Sequence, residues 1–160
     1  MAKKQHRYAV RVVWTGNRGE GTVTHRGYER AHLIEVAGKQ PISGSSDPAF
    51  RGDPSRWNPE ELLVASLSAC HKLWYLSLCA EAGVVVISYE DDAEGLMVEE
   101  ASGAGQFASV TLRPRVTIAA GADADRARAL HHRAHAMCFI ARSVNFPVTQ
   151  EPVILREAAS

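Results

Sequence analysis

The run EELLVASLSACHKLWYLSLCAEAG at residues 60–83 constrains this chain more than any other feature. Asn58 can cap its start, Pro59 suits the first helical position, and Glu60 and Glu61 suit the positive end of the helix dipole. Gly83 can end it. Few residues between 62 and 79 would sit comfortably in water. The run therefore predicts a long central helix buried on most sides, and the rest of the chain must supply the elements that pack against it.

Those elements are legible in outline. RYAVRVVW (7–14) is rich in β-branched and aromatic residues and predicts a strand. Gly16, Asn17, Gly19 and Gly21 predict a turn, GTVTH (21–25) a second strand closing a hairpin, and AHLIEV (31–36) a third strand. Residues 37–59, with four prolines and three glycines, read as a long irregular loop. After the helix, VVVISYEDDAEGLMV (84–98) begins as a strand and reaches the acidic run Glu90–Glu94, expected to be a solvated turn. AGQFASVTLRPRVTIAA (104–120) alternates as a strand, with Val110, Leu112, Val116 and Ile118 inward and Pro114 at an edge or bend. Asp123 can cap a second helix through ADRARALHHRAHAMCFIARSV, where Ala127, Leu130, Ala134, Met137, Cys138 and Ala141 share one stripe. VTQEPVILREA (148–158) predicts a final strand. The order specifies an α+β fold, one domain over 1–160, with antiparallel sheet packed against two helices.

Composition narrows the function. Lys plus Arg equals Asp plus Glu at 18 each, so nothing in the net charge attracts a polyanion. There is no uninterrupted apolar run of 18 residues to suggest a membrane span, and the N-terminus lacks the apolar core and cleavage site of a secretory signal. Three cysteines, Cys70, Cys79 and Cys138, do not form a disulfide framework. A reducing, cytoplasmic setting is expected.

Cys70 lies in the middle of the central helix and Cys138 on the stripe of the second. If both helices bury against the same sheet their inward faces meet, making the pair either a redox couple or two small buried hydrophobes. Cys79, nine residues after Cys70, points to the opposite side of the helix and reads as structural. A reactive Cys70 needs a cation, because mid-helix placement gives little help from the dipole. Arg18, Arg51 and Arg56 are the candidates, and Glu60 could hold a guanidinium over the thiol. His71, adjacent to Cys70, points about 100° away and reads as a packed or hydrogen-bonded histidine rather than a base. His131 and His135 have a metal-compatible spacing, but His131, His132 and His135 together read as a surface cluster, and no metal is expected.

FRGDPSRWNPEELLVASLSACHKLWYLSLCAEAGV (50–84), followed by MCFIARSVNFPV (137–148), resembles the OsmC/Ohr superfamily, and its OsmC-like branch more closely. The resemblance runs from RVVWTGNRGEGT to NFPV. It implies an α+β homodimer, two chains intertwined around the long helices with active sites at their interface. It places the peroxidatic cysteine at Cys70, the resolving cysteine at Cys138 and the active-site glutamate at Glu60. The activating arginine falls on Arg18 by one branch; by the other it falls near Phe50, so that Arg51 matches only with a one-residue shift. The implied reaction is reduction of organic hydroperoxides, and of hydrogen peroxide less well. A Cys70 sulfenic acid is resolved by Cys138 as a disulfide, and an external dithiol or lipoyl-type thiol reduces it, with no cofactor. The alternatives are a non-peroxidatic binding protein of the same fold, a hydrolase using Cys70 with a histidine, and an RNA-binding module, which the neutral charge disfavours.

Overall fold

Arg11–Trp14 (β1), His32–Glu35 (β2) and Ile42–Gly44 (β3) form an antiparallel sheet in the order β1-β2-β3, with Val12 opposite Ile34 and Leu33 opposite Ser43. The computed structural model describes residues 1–159, in two compact units: Met1–Leu62, which holds this sheet, and the residues from Leu63 on. The expected strand at 21–25 does not form. Its backbone is taken up by local turns: Asn17 Oδ1 accepts from the N–H groups of Gly19 and Gly21, and Gly27 N–H donates to the Thr24 carbonyl. β1 therefore pairs with β2. The loop expected over 37–59 contains β3 and a 3-10 turn at Pro48–Phe50 capped by Asp47.

The long helix, α1, spans Pro59–Ala82. Asn58 caps it as expected, and Glu61 completes the cap: Glu61 N–H donates to Asn58 Oδ1 at 2.8 Å while Asn58 N–H donates to Glu61 Oε2 at 3.2 Å. Gly83 ends it with φ +73°, a left-handed conformation cheap only for glycine. The expectation of burial on most sides is corrected. Leu67, His71, Tyr75, Leu78 and Cys79 are buried, whereas Ala65, Ala69, Leu73, Ser77 and Ala80 lie exposed. By length and composition α1 could cross a membrane, a property that the absence of an uninterrupted apolar run had concealed. Its buried stripe, however, packs into a protein core.

That core lies among two three-stranded sheets, β4-β7-β9 and β5-β6-β8, built from Val86–Asp91 (β4), Glu94–Glu99 (β5), Gly105–Leu112 (β6), Pro114–Ile118 (β7), Val148–Gln150 (β8) and Val153–Arg156 (β9). The sheets are mixed rather than antiparallel, since β8 runs parallel to β6 and β9 parallel to β7. Each expected long strand is broken in two and passes from one sheet to the other. Pro114 marks one break, a bend and not an edge, for β7 is the central strand of its sheet. The acidic run is also more than a solvated turn. Asp91 accepts hydrogen bonds from Ser68 Oγ and from Arg113 N–H, tying α1 and the second break to the end of β4. Val110, Leu112, Val116 and Ile118 are all buried, as their alternation predicts.

The second helix, α2 (Ala124–Met137), starts at Asp123, whose Oδ1 accepts from Asp125 and Arg126 N–H at 3.0 Å each. It is shorter than expected. Cys138 is its C-terminal cap in an extended conformation, ψ 114°, and a 3-10 turn follows at Ala141–Ser143. Ala127, His131 and Ala134 make its buried stripe, and Met137 faces outward.

Candidate functional site: a thiol pair between two helices

Within the second unit α1 presents Cys70 and the end of α2 presents Cys138, and the two thiols lie side by side. Cys138 leaves the helix and turns inward, where it is 1% exposed, while Cys70 is half-buried. Leaving the helix at Cys138 frees Ala141 N–H to donate to Cys138 Sγ at 3.4 Å. Burial pushes the Cys138 thiol up to about 11; the Ala141 N–H opposes this and the Cys70 thiol adds to it. At neutral pH Cys138 is therefore a protonated, sheltered thiol, with Cys70 the more accessible partner. Both thiols are free, and their contact makes the pair capable of disulfide formation.

An aromatic pair flanks the thiols in sequence. Trp74, one helical turn from Cys70, meets Phe139, the residue after Cys138, edge to face with ring centroids 5.5 Å apart. Phe139 is 65% exposed. Phe146 packs against Phe107 in the core and is not part of this pair. Cys79 belongs to the other core cluster, with Tyr75, Val84 and Ile118, and burial raises its thiol.

His71 does not face Cys70. It is buried, and its Nε2 meets Nδ1 of His131 at 2.9 Å. The expected surface cluster of histidines is corrected accordingly: His131 is buried, His135 half-buried and only His132 exposed. The signal was present in the spacing, since His131 sits four residues after Ala127 and three before Ala134, on the buried stripe. Burial lowers His71 to about 4 and His131 to about 3, so both are neutral at physiological pH. No group of three metal-ligating side chains occurs among the described residues.

The remaining candidates lie in the first unit. Arg18 forms an ion pair with Glu29 in the glycine-rich turn region. Arg51 is exposed at the end of the 3-10 turn with φ +64°, a backbone position unusual for a side-chain-bearing residue. Arg56 is paired with Asp53 at 3.5 Å and donates to the His32 carbonyl at 3.4 Å. Glu60 sits half-buried in the first turn of α1, and among the described residues it has no ion-pair partner. Trp57 is 51% exposed.

Known proteins share this fold. The model of the OsmC-like protein family matches residues 52–152. A solved OsmC-like protein of unknown function from Vibrio cholerae O1 biovar eltor is 33% identical, with a TM-score of 0.83 over 93% of this chain and 100% of that one. Two more distant structures share the fold. One is an organic hydroperoxide resistance protein from Elizabethkingia anophelis (16% identity, TM-score 0.67, 96% of this chain and 100% of that one). The other is a putative organic hydroperoxide resistance protein from Vibrio cholerae with captopril in one active site (18% identity, TM-score 0.66, 96% and 95% covered). No curated protein matches. With the family model covering more than half of its length and a thiol pair where two helices meet, this chain belongs to the OsmC-like protein family.

Proposed function

We propose that the protein is a thiol-dependent peroxidase acting on organic hydroperoxides. The observation that carries the reading is the direct contact of the Cys70 and Cys138 thiols. In the first step the Cys70 thiolate attacks the outer peroxide oxygen: the S–O bond forms, the O–O bond breaks, and the alkoxide leaves as alcohol after taking a proton. Cys70 becomes a sulfenic acid. In the second, Cys138 sulfur attacks the Cys70 sulfur, the S–S bond forms and water leaves. An external dithiol or lipoyl-type thiol then reduces the disulfide by exchange. Cys138, sheltered and protonated, is suited to wait for the sulfenic acid rather than to meet peroxide itself. The family resemblance gives Glu60, with Arg18 or Arg51, the task of stabilising the Cys70 thiolate and the leaving oxygen. The Trp74–Phe139 pair favours substrates with a bulky apolar group over hydrogen peroxide. A hydrolase using Cys70 is disfavoured because His71 is committed to His131.

A homodimer is part of this proposal. The outward face of α1, with Leu73 63% exposed, is the kind of apolar surface that a second copy would cover. A cytoplasmic setting, where thiols stay reduced, fits the three free cysteines.

The test mixes pre-reduced protein with one equivalent of cumene hydroperoxide and counts free thiols, in parallel with Cys70→Ser and Cys138→Ser. Rapid loss of two thiols in the parent and none in Cys70→Ser is expected. Cys138→Ser should yield an oxidised Cys70 without an internal bridge. Thiols that persist over minutes in the parent would sink the reading.

A further inference from the structure

The thiol contact is the last of three connections between α1 and α2. Tyr75 Oη donates to the Ala127 carbonyl at 2.9 Å. His71 Nε2 and His131 Nδ1 share a hydrogen bond at 2.9 Å, one ring donating and the other accepting. Cys70 and Cys138 follow. As the α1 partner moves toward its N-terminus, from 75 to 71 to 70, the α2 partner moves toward its C-terminus, from 127 to 131 to 138. The partners thus run in opposite chain directions, and the first interval is four residues on each helix, about 6 Å. Cys138 lies seven residues beyond His131, two turns on and within about 20° of the same face.

The rings reinforce the alignment. Tyr75 stacks on His131 with centroids 3.8 Å apart and planes 11° from parallel, and the His71 and His131 planes differ by 6°. Both histidines are 1% exposed. They are an expensive way to fill a core. Two imidazoles must be desolvated, and His131 Nε2 is left without a hydrogen-bond partner. What a directional polar contact offers in return is register. Apolar side chains tolerate sliding, whereas a shift of one residue, about 1.5 Å, separates both the His71–His131 and the Tyr75–Ala127 bonds.

We propose that His71 and His131 are positioning residues that fix α2 against α1 and so hold Cys138 beside Cys70. The inference rests on the redox reading of the thiol pair but not on peroxide as its oxidant. Its test therefore uses a different one. Oxidised dithiothreitol takes two electrons and two protons from Cys70 and Cys138, giving the protein disulfide and reduced dithiothreitol. The equilibrium constant measures how well the two sulfurs are held together.

The full chain is equilibrated with mixtures of oxidised and reduced dithiothreitol, quenched by alkylation, and the Cys70–Cys138 bridge is quantified by mass spectrometry. His131→Asn keeps an amide near the Nδ1 position, and His71→Gln keeps one near Nε2. Both are expected to stay within about threefold of the parent. His71→Leu and His131→Leu are expected to lower the constant about tenfold, a change of about 30 mV. Should the leucine variants fail to fold, as judged by circular dichroism, His131→Gln decides. It is equally polar but reaches past the Nδ1 position, and it should fall several-fold where His131→Asn does not. Leucine variants that fold and match the parent within twofold would overturn the proposal. So would equal behaviour of His131→Gln and His131→Asn, or a parent that forms no such bridge. A parent that forms the bridge with dithiothreitol but ignores hydroperoxide removes the peroxidase function and leaves this inference standing.

Discussion

Acidification from pH 7 to pH 5.5 should remove about 2–3 kcal/mol of stability through His71 and His131. Burial holds His71 down to about 4, with Asp91 opposing and His135 adding to the effect. Burial likewise holds His131 down to about 3, helped by His71, Arg128 and His132. In the unfolded chain both return to the ordinary value of 6.5. Between that value and the folded ones, the unfolded chain binds two protons that the folded chain does not. Stability is therefore full above about pH 7 and falls as pH drops, by about 1.4 kcal/mol per pH unit for each histidine once well below 6.5. A loss of about 2–3 kcal/mol is large beside the roughly 5–15 kcal/mol that holds a typical domain together. Ordinary carboxylates titrate near pH 4, so they contribute little in this window. Urea unfolding followed by circular dichroism at pH 7.0, 6.5, 6.0 and 5.5, at one protein concentration, gives the slope. The His71→Leu/His131→Leu double variant should lose most of it, whatever its stability at pH 7. A double variant that folds and keeps the parent's slope would refute the reasoning, since the pH dependence would then belong to other groups.

Other perturbations test separate parts of the structure. Asn58→Ala removes one half of the reciprocal cap on α1 and should cost about 1 kcal/mol in chemical denaturation. Gly95→Ala places a methyl group 2.5 Å from Phe107 Cε1 and 2.8 Å from Val64 Cγ2. It should destabilise by about 1–3 kcal/mol because Phe107 and Val64, both packed against the core, must shift, whereas Gly121→Ala, which meets nothing, should be silent in the same measurement. Alkylation of Cys138 in a Cys70→Ser, Cys79→Ser background should be slow at pH 7 and still rising above about pH 9, because burial, the first cause of its raised thiol, is unchanged; a plateau near pH 8 would show that burial does not control it.

The sequence makes the interior of the second unit readable because alternation and helical period are local and leave little choice of face. Val110, Leu112, Val116 and Ile118 are inward for that reason, and Asp123 and Asn58 cap their helices because few other residues nearby can. The meeting of Cys70 and Cys138 follows from two apolar faces sharing one core. What escaped detection depends on competition between local and distant bonds. GTVTH has strand-like residues, yet Asn17 and the glycines around it satisfy that stretch of backbone with turns. Ile42–Gly44 sits among prolines and still forms a strand, because β2 offers it an edge. α2 stops at Cys138 without a glycine or proline, the usual stop signals: Cys138 turns to an extended conformation while its N–H donates to the His135 carbonyl. His131 was hidden by its neighbours. In HHRAH the charged and polar residues suggest a surface, while the burial of His131 is matched to a partner 60 residues away.

The mismatch at α1 has a different origin. Hydropathy reports how much of a helix prefers to leave water, not which molecule provides the cover. Read from composition, α1 asks for burial on nearly every side, and this chain covers the stripe through Leu67, His71, Tyr75, Leu78 and Cys79. The opposite face, Ala65, Ala69, Leu73, Ser77 and Ala80, is small and apolar apart from one serine, and it stays exposed. Small residues of this kind let a second helix approach closely, with Leu73 as the one large side chain to be buried. The excess of apolar surface over what one chain can cover is thus the physical content of the homodimer proposal. It also explains why a sequence whose charges balance and whose core positions are easily read still misstates the burial of its longest helix.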